Sequence, residues 1–409
     1  MSSRLAQLNT LDEDEKFSDY KWQYFSSLTE GPIRSRAEGF LRSIDWPELE
    51  RFATTKRSGI KCRILPDIGL GYNHMVRIIK FEDGDRWVAR LKLPSLSTPE
   101  KSEPEQTLDT KMTYEFNTIS FLRENTSIPI PMIHAFEARP HCGVGAPFML
   151  MDCLKGNVGM DIGMEIPSGR KQAFLNALAR IHVELSRVRL PKIGTIESIN
   201  PDGTLQQGPI PGLGGPFITA TEFFEAWATH SKFGKTDEQL RAASGQFADE
   251  IARSTALFLP TIKKLANKLS VHDHGPFPIC HGDFGHNNVI VDDDYRVLGV
   301  IDWEGAFAGP WEIFGDFPLS ISTVPPAMDA PWVYNEDGSP ISVEVAQKVE
   351  DQKDYVAAVK KEENRIGLSH HLSEALENAD KQQLATAMRL FWDGKVGWYS
   401  KVVDKLVAE

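Results

Sequence analysis

Residues 280–304 read CHGDFGHNNVIVDDDYRVLGVIDWE, and two apolar runs in this stretch flank an acidic turn. Apolar runs such as NVIV and RVLGVI on either side of DDDY are typical of an antiparallel β-hairpin. In an antiparallel pair, the first residue of one strand lies beside the last residue of the other. The sequence therefore predicts that Asn288 and Asp302 lie together at the open end of a hairpin, with Asp283 on the loop just upstream.

The side chains at this open end have the chemistry of a phosphotransfer site. An amide and a carboxylate are oxygen ligands that suit Mg²⁺, which usually takes one or two carboxylates and leaves other positions to substrate phosphates. Asp283 precedes Asn288 by five residues, and a carboxylate at that spacing can accept the proton of an attacking hydroxyl. The stretch is therefore compatible with a catalytic loop that is followed by a metal-binding Asp.

Three other interpretations of the same stretch remain open. A Cys280–His281 dyad is disfavoured, because neighbours on an extended segment point to opposite faces. A hydrogen-bonded structural pair of His281 and Asp283 accounts for the triplet by itself. A transition-metal site is chemically possible, although it leaves Asn288 unexplained; its ligands would be His281, Asp283, His286 and Asp302.

Composition excludes several classes of protein. The chain has 409 residues, which suggests two or three domains. A net charge of −12 and the absence of a basic run argue against a nucleic-acid surface. The four cysteines have neither zinc-like nor disulfide-framework spacing. The N-terminal residues lack a signal-peptide core, and no apolar run is long enough to span a membrane, so we predict a cytoplasmic protein.

The pattern of apolar residues changes along the chain from strands to helices, which indicates an α+β fold. Short β-branched and aromatic runs in 58–94 predict three antiparallel strands, and 128–154 contains two more extended segments. The other predicted segments are short helices within 11–57, a surface loop at 94–109, helices at 110–125, 170–188 and 220–270, a Gly/Pro loop at 203–216, and helices from 343 to the end.

Three features upstream of the hairpin could bind a nucleotide. The Gly-containing turn in IGLGYNHMV (68–76) could bring backbone amides close to phosphates, although His74 stands where a third glycine would be expected and a plain hairpin explains it equally well. Arg90 is a charged residue within the apolar strand WVARL, where a kinase carries its phosphate-binding Lys. Glu115 lies among apolar residues on a predicted helix, where an unpaired acid would be costly, so it is a candidate partner for Arg90.

Taken in order, several segments resemble the aminoglycoside phosphotransferase and choline kinase family, and its fungal members in particular. They are GYNHMVR, WVARL, PFMLMDCLKG, LARIHVEL, HGDFGHNNVIV and VIDWEGAFAGP, within residues 58–320. The resemblance implies a two-lobed protein-kinase-like fold. Its parts would be a helical N-terminal extension (1–57), a small antiparallel-sheet N-lobe that binds the nucleotide (58–152), and a larger helical C-lobe for catalysis and substrate binding (153–409).

The resemblance also implies roles for individual residues. Asp283 would be the catalytic base, with His281 supporting its loop. Asn288 and Asp302 would hold Mg²⁺. ATP would be bound by the turn residues Gly71 and Asn73, by the ion pair of Arg90 and Glu115, and by a hinge at Met149, Met151 and Cys153. Arg replaces the family's Lys at position 90, but it keeps the charge and can bind phosphate through two hydrogen bonds.

The implied function is ATP- and Mg²⁺-dependent phosphorylation of a hydroxyl group on a small molecule. The alternatives are a nucleotide-binding pseudokinase without turnover and, less favoured, a metal-dependent hydrolase. The acidic and aromatic residues that follow the hairpin could hold an ammonium group, which predicts a cationic acceptor; these residues are Trp303, Glu304, Trp311 and Asp316. His182 is predicted to be a packed core histidine, and the sequence leaves the acceptor's identity and the oligomeric state open.

Overall fold

The computed structural model of the chain describes residues 19–96, 105–139 and 141–407. The chain divides into two compact units: the first runs up to Arg170 and also includes His286–Glu304, and the second consists of Lys171–Gly285 and the chain from Gly305 onwards. In the part of the chain that the structure describes, no helix combines the length and the apolarity that crossing a membrane requires.

The first unit contains a five-stranded sheet whose neighbouring strands are all antiparallel, in the order β1-β2-β3-β5-β4. The three strands predicted in 58–94 and the two predicted in 128–154 are confirmed. The strands are β1 (Cys62–Leu70), β2 (His74–Phe81), β3 (Arg86–Lys92), β4 (Ile133–Glu137) and β5 (Phe148–Asp152).

The helices of the N-terminal extension belong to the core of this first unit. Phe40 of one helix and Leu49 of another are buried in the same cluster as Ala89, Leu91 and Leu150 of the sheet. Apolar positions two residues apart on β3 share one face of the sheet, and this face is the one that the helices cover. The helices are α1 (Tyr24–Ser27), α2 (Pro32–Ser43) and α3 (Trp46–Lys56).

Helix α4 (Glu105–Asn125) begins earlier than the sequence predicts. The predicted loop extended to residue 109, because Pro, Ser and Glu in 94–109 are typical of exposed coil. Glu105 to Asp109 nevertheless have helical backbone, so the helix includes five residues of the predicted loop. Residues 97–104 of the predicted loop lie outside the described part of the chain.

The predicted hairpin is present, as β10 (Val289–Val291) and β11 (Val297–Val300). It belongs to the first unit, because Val291 bridges to Asn157 and the amide of Val300 donates to the carbonyl of Pro129. These backbone bonds explain why the compact units differ from the predicted bounds of 58–152 and 153–409. The hairpin of β10 and β11 therefore belongs to the same compact unit as the five-stranded sheet.

The second unit is mainly helical, as predicted. It contains most of α6 (Ser168–Arg187), which follows the short α5 (Gly159–Ile162) of the first unit, and a small sheet in the order β12-β9-β6. The Gly/Pro loop predicted at 203–216 in fact contains β8, which pairs with β7. The α+β class is confirmed.

The remaining bounds are β6 (Arg189–Leu190), β7 (Thr195–Ile199), β8 (Leu205–Gly208), α7 (Ala220–His230), α8 (Asp237–Ser244), α9 (Ala248–Leu269), β9 (Phe277–Cys280), β12 (Phe307–Ala308), α10 (Trp311–Phe314), α11 (Val343–Ile366), α12 (His371–Glu377), α13 (Ala379–Trp392) and α14 (Tyr399–Val407).

Candidate active site

Arg90 lies at the centre of a charged cluster in the first unit. Its Nη1 donates to Glu115 Oε1 at 2.7 Å, and its Nη2 forms an ion pair with Asp302 Oδ1. The side chains of Arg90 and Glu115 are only 12% and 2% exposed, whereas Asp302 is 34% exposed. The predicted pairing of Arg90 with Glu115 is therefore present, and it brings a residue of β3 and one of α4 to the hairpin's end.

The same cluster fixes the backbone at the hairpin's open end. Glu115 Oε1 also accepts a hydrogen bond from the backbone amide of Trp303 at 3.2 Å, and the amide of Ile301 donates to the carbonyl of Asn288 at 2.9 Å. Asn288 therefore lies opposite Ile301, next to Asp302, as the hairpin pattern predicts. Asp302 has φ 68°, a conformation that is uncommon for residues other than glycine and concentrates at functional sites.

Burial and charge oppose each other at Arg90 and Glu115. Burial by itself would lower the pKa of Arg90, but the carboxylates of Glu115 and Asp302 outweigh it and raise that pKa. Burial raises the pKa of Glu115 above its usual range, and the nearby Asp302 carboxylate adds to this, although Arg90 acts in the opposite sense. The carboxylates of Glu115 and Asp302 therefore share the positive charge of Arg90.

Glu304, which the sequence predicts to contact a cationic acceptor, is hydrogen-bonded to other residues of the protein. Its carboxylate accepts hydrogen bonds from Lys92 Nζ at 2.9 Å and from Asn73 Nδ2 at 2.8 Å. His74 is buried at 3.6 Å from the same carboxylate, and burial lowers the pKa of His74 well below its usual range. Glu304 thus links the Gly-containing turn to β3, and it is already paired with a lysine within the protein.

The oxygen donors at the hairpin's end fit a hard divalent cation. Ligand atoms of Asp302, Glu304 and His74 all lie within 4.8 Å of one another, and the Asn288 side chain is buried at the adjacent strand end. Carboxylate and amide oxygens are the ligands that Mg²⁺ prefers. The residues predicted as metal ligands therefore offer suitable donors, with Glu304 as a further carboxylate.

The predicted hinge is partly inside the sheet. Met149 and Met151 of β5 pair with β3 on one side and β4 on the other, and a strand flanked on both sides uses its backbone groups in the ladders. Of the three predicted hinge residues, only Cys153 follows the strand. The backbone groups able to meet a ligand therefore begin at Cys153, two positions beyond Met151.

Residues Asp19–Trp22, which we call the N-terminal segment, lie against this part of the chain. The hydroxyl of Tyr20 is 3.2 Å from Cys153 Sγ and donates to the carbonyl of Leu154 at 3.2 Å. The indole of Trp22 lies so close to Gly69 that a Cβ added there would be 3.2 Å from the ring. Sequence reasoning missed these contacts.

The position of Trp22 on the sheet follows from the strand register. Gly69 pairs with Val76, and Val76 pairs with Arg90. Residues that face each other across antiparallel strands place their side chains on one face of the sheet. Trp22 therefore covers the same face of the sheet from which Arg90 projects.

The loop that carries Asp283 lies in the second unit, directly after β9. Gly282 has φ 87°, and a Cβ there would lie 2.6 Å from the carbonyl oxygen of Gly305, so only glycine fits. The backbone amide of Asp283 donates to Nδ1 of His281 at 3.3 Å, which requires the form of His281 without a proton on Nδ1. His281 thus holds the backbone of the residue that the sequence predicts as the base.

The residues proposed for a cationic acceptor are differently placed. Trp303 and Trp311 are buried at 1% and 4% exposure, and the Trp303 indole donates to the carbonyl of Val300. Asp316 Oδ2 accepts from Arg389 Nε at 2.8 Å. Both carboxylates proposed for an ammonium group, Glu304 and Asp316, are therefore paired with basic side chains of the protein.

Two basic residues that the sequence analysis did not single out, Lys92 and Arg389, make these pairs. Lys92 could have been found, because it lies two positions after Arg90 on the same strand and therefore on the same face. Arg389 pairs with a residue 73 positions away, and no local pattern marks such a pair.

Comparisons with known proteins agree with the resemblance. The sequence profile of the phosphotransferase enzyme family matches residues 68–312, more than half of the 409 residues. Clavilactone A biosynthesis cluster protein Y of Ampulloclitocybe clavipes is 25% identical over 306 residues, which are 70% of this chain and 73% of that protein.

The chain is also similar to solved structures at low sequence identity. A thermostable mutant of aminoglycoside phosphotransferase APH(4)-Ia, in a ternary complex with AMP-PNP and hygromycin B, has a TM-score of 0.45 and 17% identity, covering 88% of this chain and 97% of that chain. Ethanolamine kinase of Plasmodium vivax has a TM-score of 0.42 and 11% identity, covering 87% and 83% respectively.

Proposed function

Since the chain belongs to the phosphotransferase enzyme family, we propose that it is a kinase that transfers the γ-phosphoryl group of ATP to a hydroxyl of a small molecule. The acceptor oxygen forms a bond to the γ-phosphorus, and the bond from that phosphorus to the β,γ-bridging oxygen breaks. The hydroxyl proton passes to the carboxylate of Asp283. The products are a phosphate monoester and ADP.

The observation that carries this proposal is the cluster of Arg90, Glu115 and Asp302 at the hairpin's open end. Phosphoryl transfer depends mostly on positioning and on stabilising charge at the phosphates. Arg90 would supply the positive charge, and Glu115 holds its guanidinium in place. Glu115 also holds the backbone just after Asp302, so one buried carboxylate positions both groups.

Mg²⁺ would be held by Asn288 and Asp302, and it would neutralise charge on the phosphates. The protein's own residues orient the reactants around it. The oxygen donors of Asn288 and Asp302 support a bound cation, because amide and carboxylate oxygens are the ligands that Mg²⁺ prefers.

We expect ATP to bind only when Mg²⁺ is present, because the partly exposed Asp302 carboxylate would otherwise repel the phosphates. Titration calorimetry with ATP and with GTP, each with and without Mg²⁺, measures this directly. Binding of neither nucleotide at saturating Mg²⁺ would contradict the proposal and favour the hydrolase. Tight binding without turnover on any hydroxyl compound would favour the pseudokinase.

We also expect the N-terminal segment to compete with the nucleotide. The hydroxyl of Tyr20 donates a hydrogen bond to the carbonyl of Leu154 next to the predicted hinge, and Trp22 covers the sheet face from which Arg90 projects. The Trp22→Ala substitution should therefore tighten Mg·ATP binding severalfold, as measured by calorimetry. Trp46→Ala is the matched control, because that indole donates to Leu41 on the opposite, helix-covered side of the sheet. Weaker ATP binding by Trp22→Ala would instead make the segment part of the nucleotide site.

A further inference from the structure

A cavity of about 260 Å³ lies within the second unit, and most of its wall is apolar. Asp283 and His281 line it, so the carboxylate that we propose as proton acceptor borders an apolar chamber. Aromatic and aliphatic side chains supply most of the remaining surface, among them Phe223, Trp227, Phe307, Phe314, Met388 and Trp392.

Of the three charged residues described in the cavity wall, Asp316 and Arg389 form an ion pair, and the third is Asp283. In the described part of the chain, the wall carries two carboxylates, Asp283 and Asp316, and one guanidinium, Arg389. Asp316 accepts from Arg389 Nε at 2.8 Å and from Thr386 Oγ1 at 2.6 Å. Burial would lower the pKa of Arg389, but the charges of Asp316, Asp393 and Asp283 outweigh it and raise that pKa.

Of the two histidines described in the cavity wall, His182 is neutral. His182 is buried, with Nδ1 at 3.1 Å from the hydroxyl of Tyr355 and Nε2 at 2.9 Å from the carbonyl of Phe314. Burial lowers the pKa of His182 to about 4. Both ring nitrogens of His182 therefore already have partners within the protein. Its burial confirms the prediction of a packed core histidine.

These features decide which acceptors the cavity accommodates. A buried ammonium group needs a carboxylate partner, and Asp316 already has a guanidinium. Pairing the ammonium with Asp283 instead would favour the charged form of that carboxylate and so make it a weaker proton acceptor. The volume lies just below the ~300 Å³ at which sites for drug-sized ligands begin, so the occupant is compact.

We propose that this cavity binds the acceptor, and that the acceptor is a compact, neutral and largely apolar alcohol whose hydroxyl lies at Asp283. This inference rests on the proposed kinase function and replaces the cationic acceptor that the sequence suggested. The hydroxyl is the group that Asp283 requires, and the rest of the molecule packs against the aromatic wall.

Two isosteric alcohols test the class of acceptor. 3-Cyclohexylpropan-1-ol is neutral, whereas 3-(piperidin-1-yl)propan-1-ol has the same shape and carries an ammonium group at pH 7. We expect the neutral alcohol to bind at least about tenfold more tightly, by calorimetry on the full chain with Mg²⁺ and AMP-PNP present. Equal or tighter binding of the amine, or no binding of either compound at millimolar concentration, overturns the inference.

Two tryptophan variants test the location. Trp392 lines the cavity and is 47% exposed, and Trp332 is 56% exposed and does not line it. Trp392→Ala should weaken binding of the neutral alcohol about tenfold, whereas Trp332→Ala should leave it unchanged. If Trp392→Ala has no effect, the alcohol binds elsewhere and the inference fails. Trp392→Phe, which keeps an aromatic wall, should retain most of the affinity.

Opposite changes at the ion pair test the role of charge. Arg389→Gln leaves the Asp316 carboxylate without its guanidinium, so it should reduce the preference for the neutral alcohol over the amine. Asp316→Asn removes one carboxylate from the wall and leaves Arg389 without its ionic partner, so it should increase that preference. Thermal melting first establishes that each variant is folded. If Arg389→Gln does not fold, Asp316→Asn alone tests the role of charge. A preference that does not change in the folded variants contradicts the inference.

The readout separates this inference from the proposed function. Binding of the two alcohols is measured without turnover, so a missing phosphorylation product with normal Mg·ATP binding counts against the kinase and leaves the acceptor class standing. Conversely, phosphorylation of the amine at a higher kcat/KM than the neutral isostere would support the kinase and overturn the acceptor class.

Discussion

Replacing Asp283 by Asn is expected to lower the turnover number by about 10²–10⁴-fold, the range typical for loss of a general base. The amide has nearly the shape of the carboxylate, but it cannot accept the proton of the attacking hydroxyl. Because the proposed role of Asp283 is to accept the proton of the hydroxyl and not to bind the nucleotide, Mg·ATP affinity should hardly change. Steady-state kinetics and calorimetry on the same preparations measure both quantities.

Asp404→Asn is the matched control for this variant, because Asp404 is an exposed carboxylate on α14 of the same unit. It should leave turnover and binding unaltered. A loss of less than about threefold in Asp283→Asn would show that this carboxylate is structural. The pseudokinase would then become the better account of a chain that still binds Mg·ATP.

Asp302→Asn should have a broader effect, because it changes both the rate and the binding of the nucleotide. The substitution removes a charged oxygen donor from the proposed Mg²⁺ site and also removes one ionic partner of Arg90. We expect at least about a tenfold loss of Mg·ATP affinity, a higher Mg²⁺ concentration for half-maximal binding, and a lower turnover number. Glu115 still holds Arg90 at 2.7 Å, so the fold should persist.

Asp293→Asn on the same hairpin is the control, since Asp293 is exposed at the turn between β10 and β11. It should bind Mg·ATP as the unaltered chain does. The diagnostic result is the asymmetry between the two catalytic-site carboxylates, with Asp283 affecting the rate and Asp302 affecting binding as well. If Asp302→Asn keeps full nucleotide affinity at every Mg²⁺ concentration, the metal is not held there.

Much of the fold follows from local patterns in the sequence. The hairpin of β10 and β11 and the strands in 58–94 are periodic segments bounded by turn residues, and both predictions are confirmed. The resemblance of several segments, taken in order along the chain, also indicated the family, which the profile match confirms. The roles of Asp283, Asn288 and Asp302 stay predictions until the variants are measured.

Tertiary structure decided which of the charged residues have partners. The sequence marks Glu304 and Asp316 as carboxylates beside aromatic residues, and that pattern predicts a site for a cation. In the fold, Glu304 forms an ion pair with Lys92, which is 212 positions away in the sequence, and Asp316 forms one with Arg389, which is 73 positions away. Tyr20 likewise reaches Leu154 across 134 positions.

The physical reason lies in the range of the interactions. Backbone hydrogen bonds within a hairpin or a helix join residues whose spacing in the sequence is fixed, so a periodic pattern reveals them. An ion pair between elements depends on how the whole chain packs, and no periodicity records it. The sequence by itself thus indicated most of the elements, the family and the candidate catalytic carboxylates. Only the folded chain decided which charged residues have partners, and that the chamber beside Asp283 is apolar.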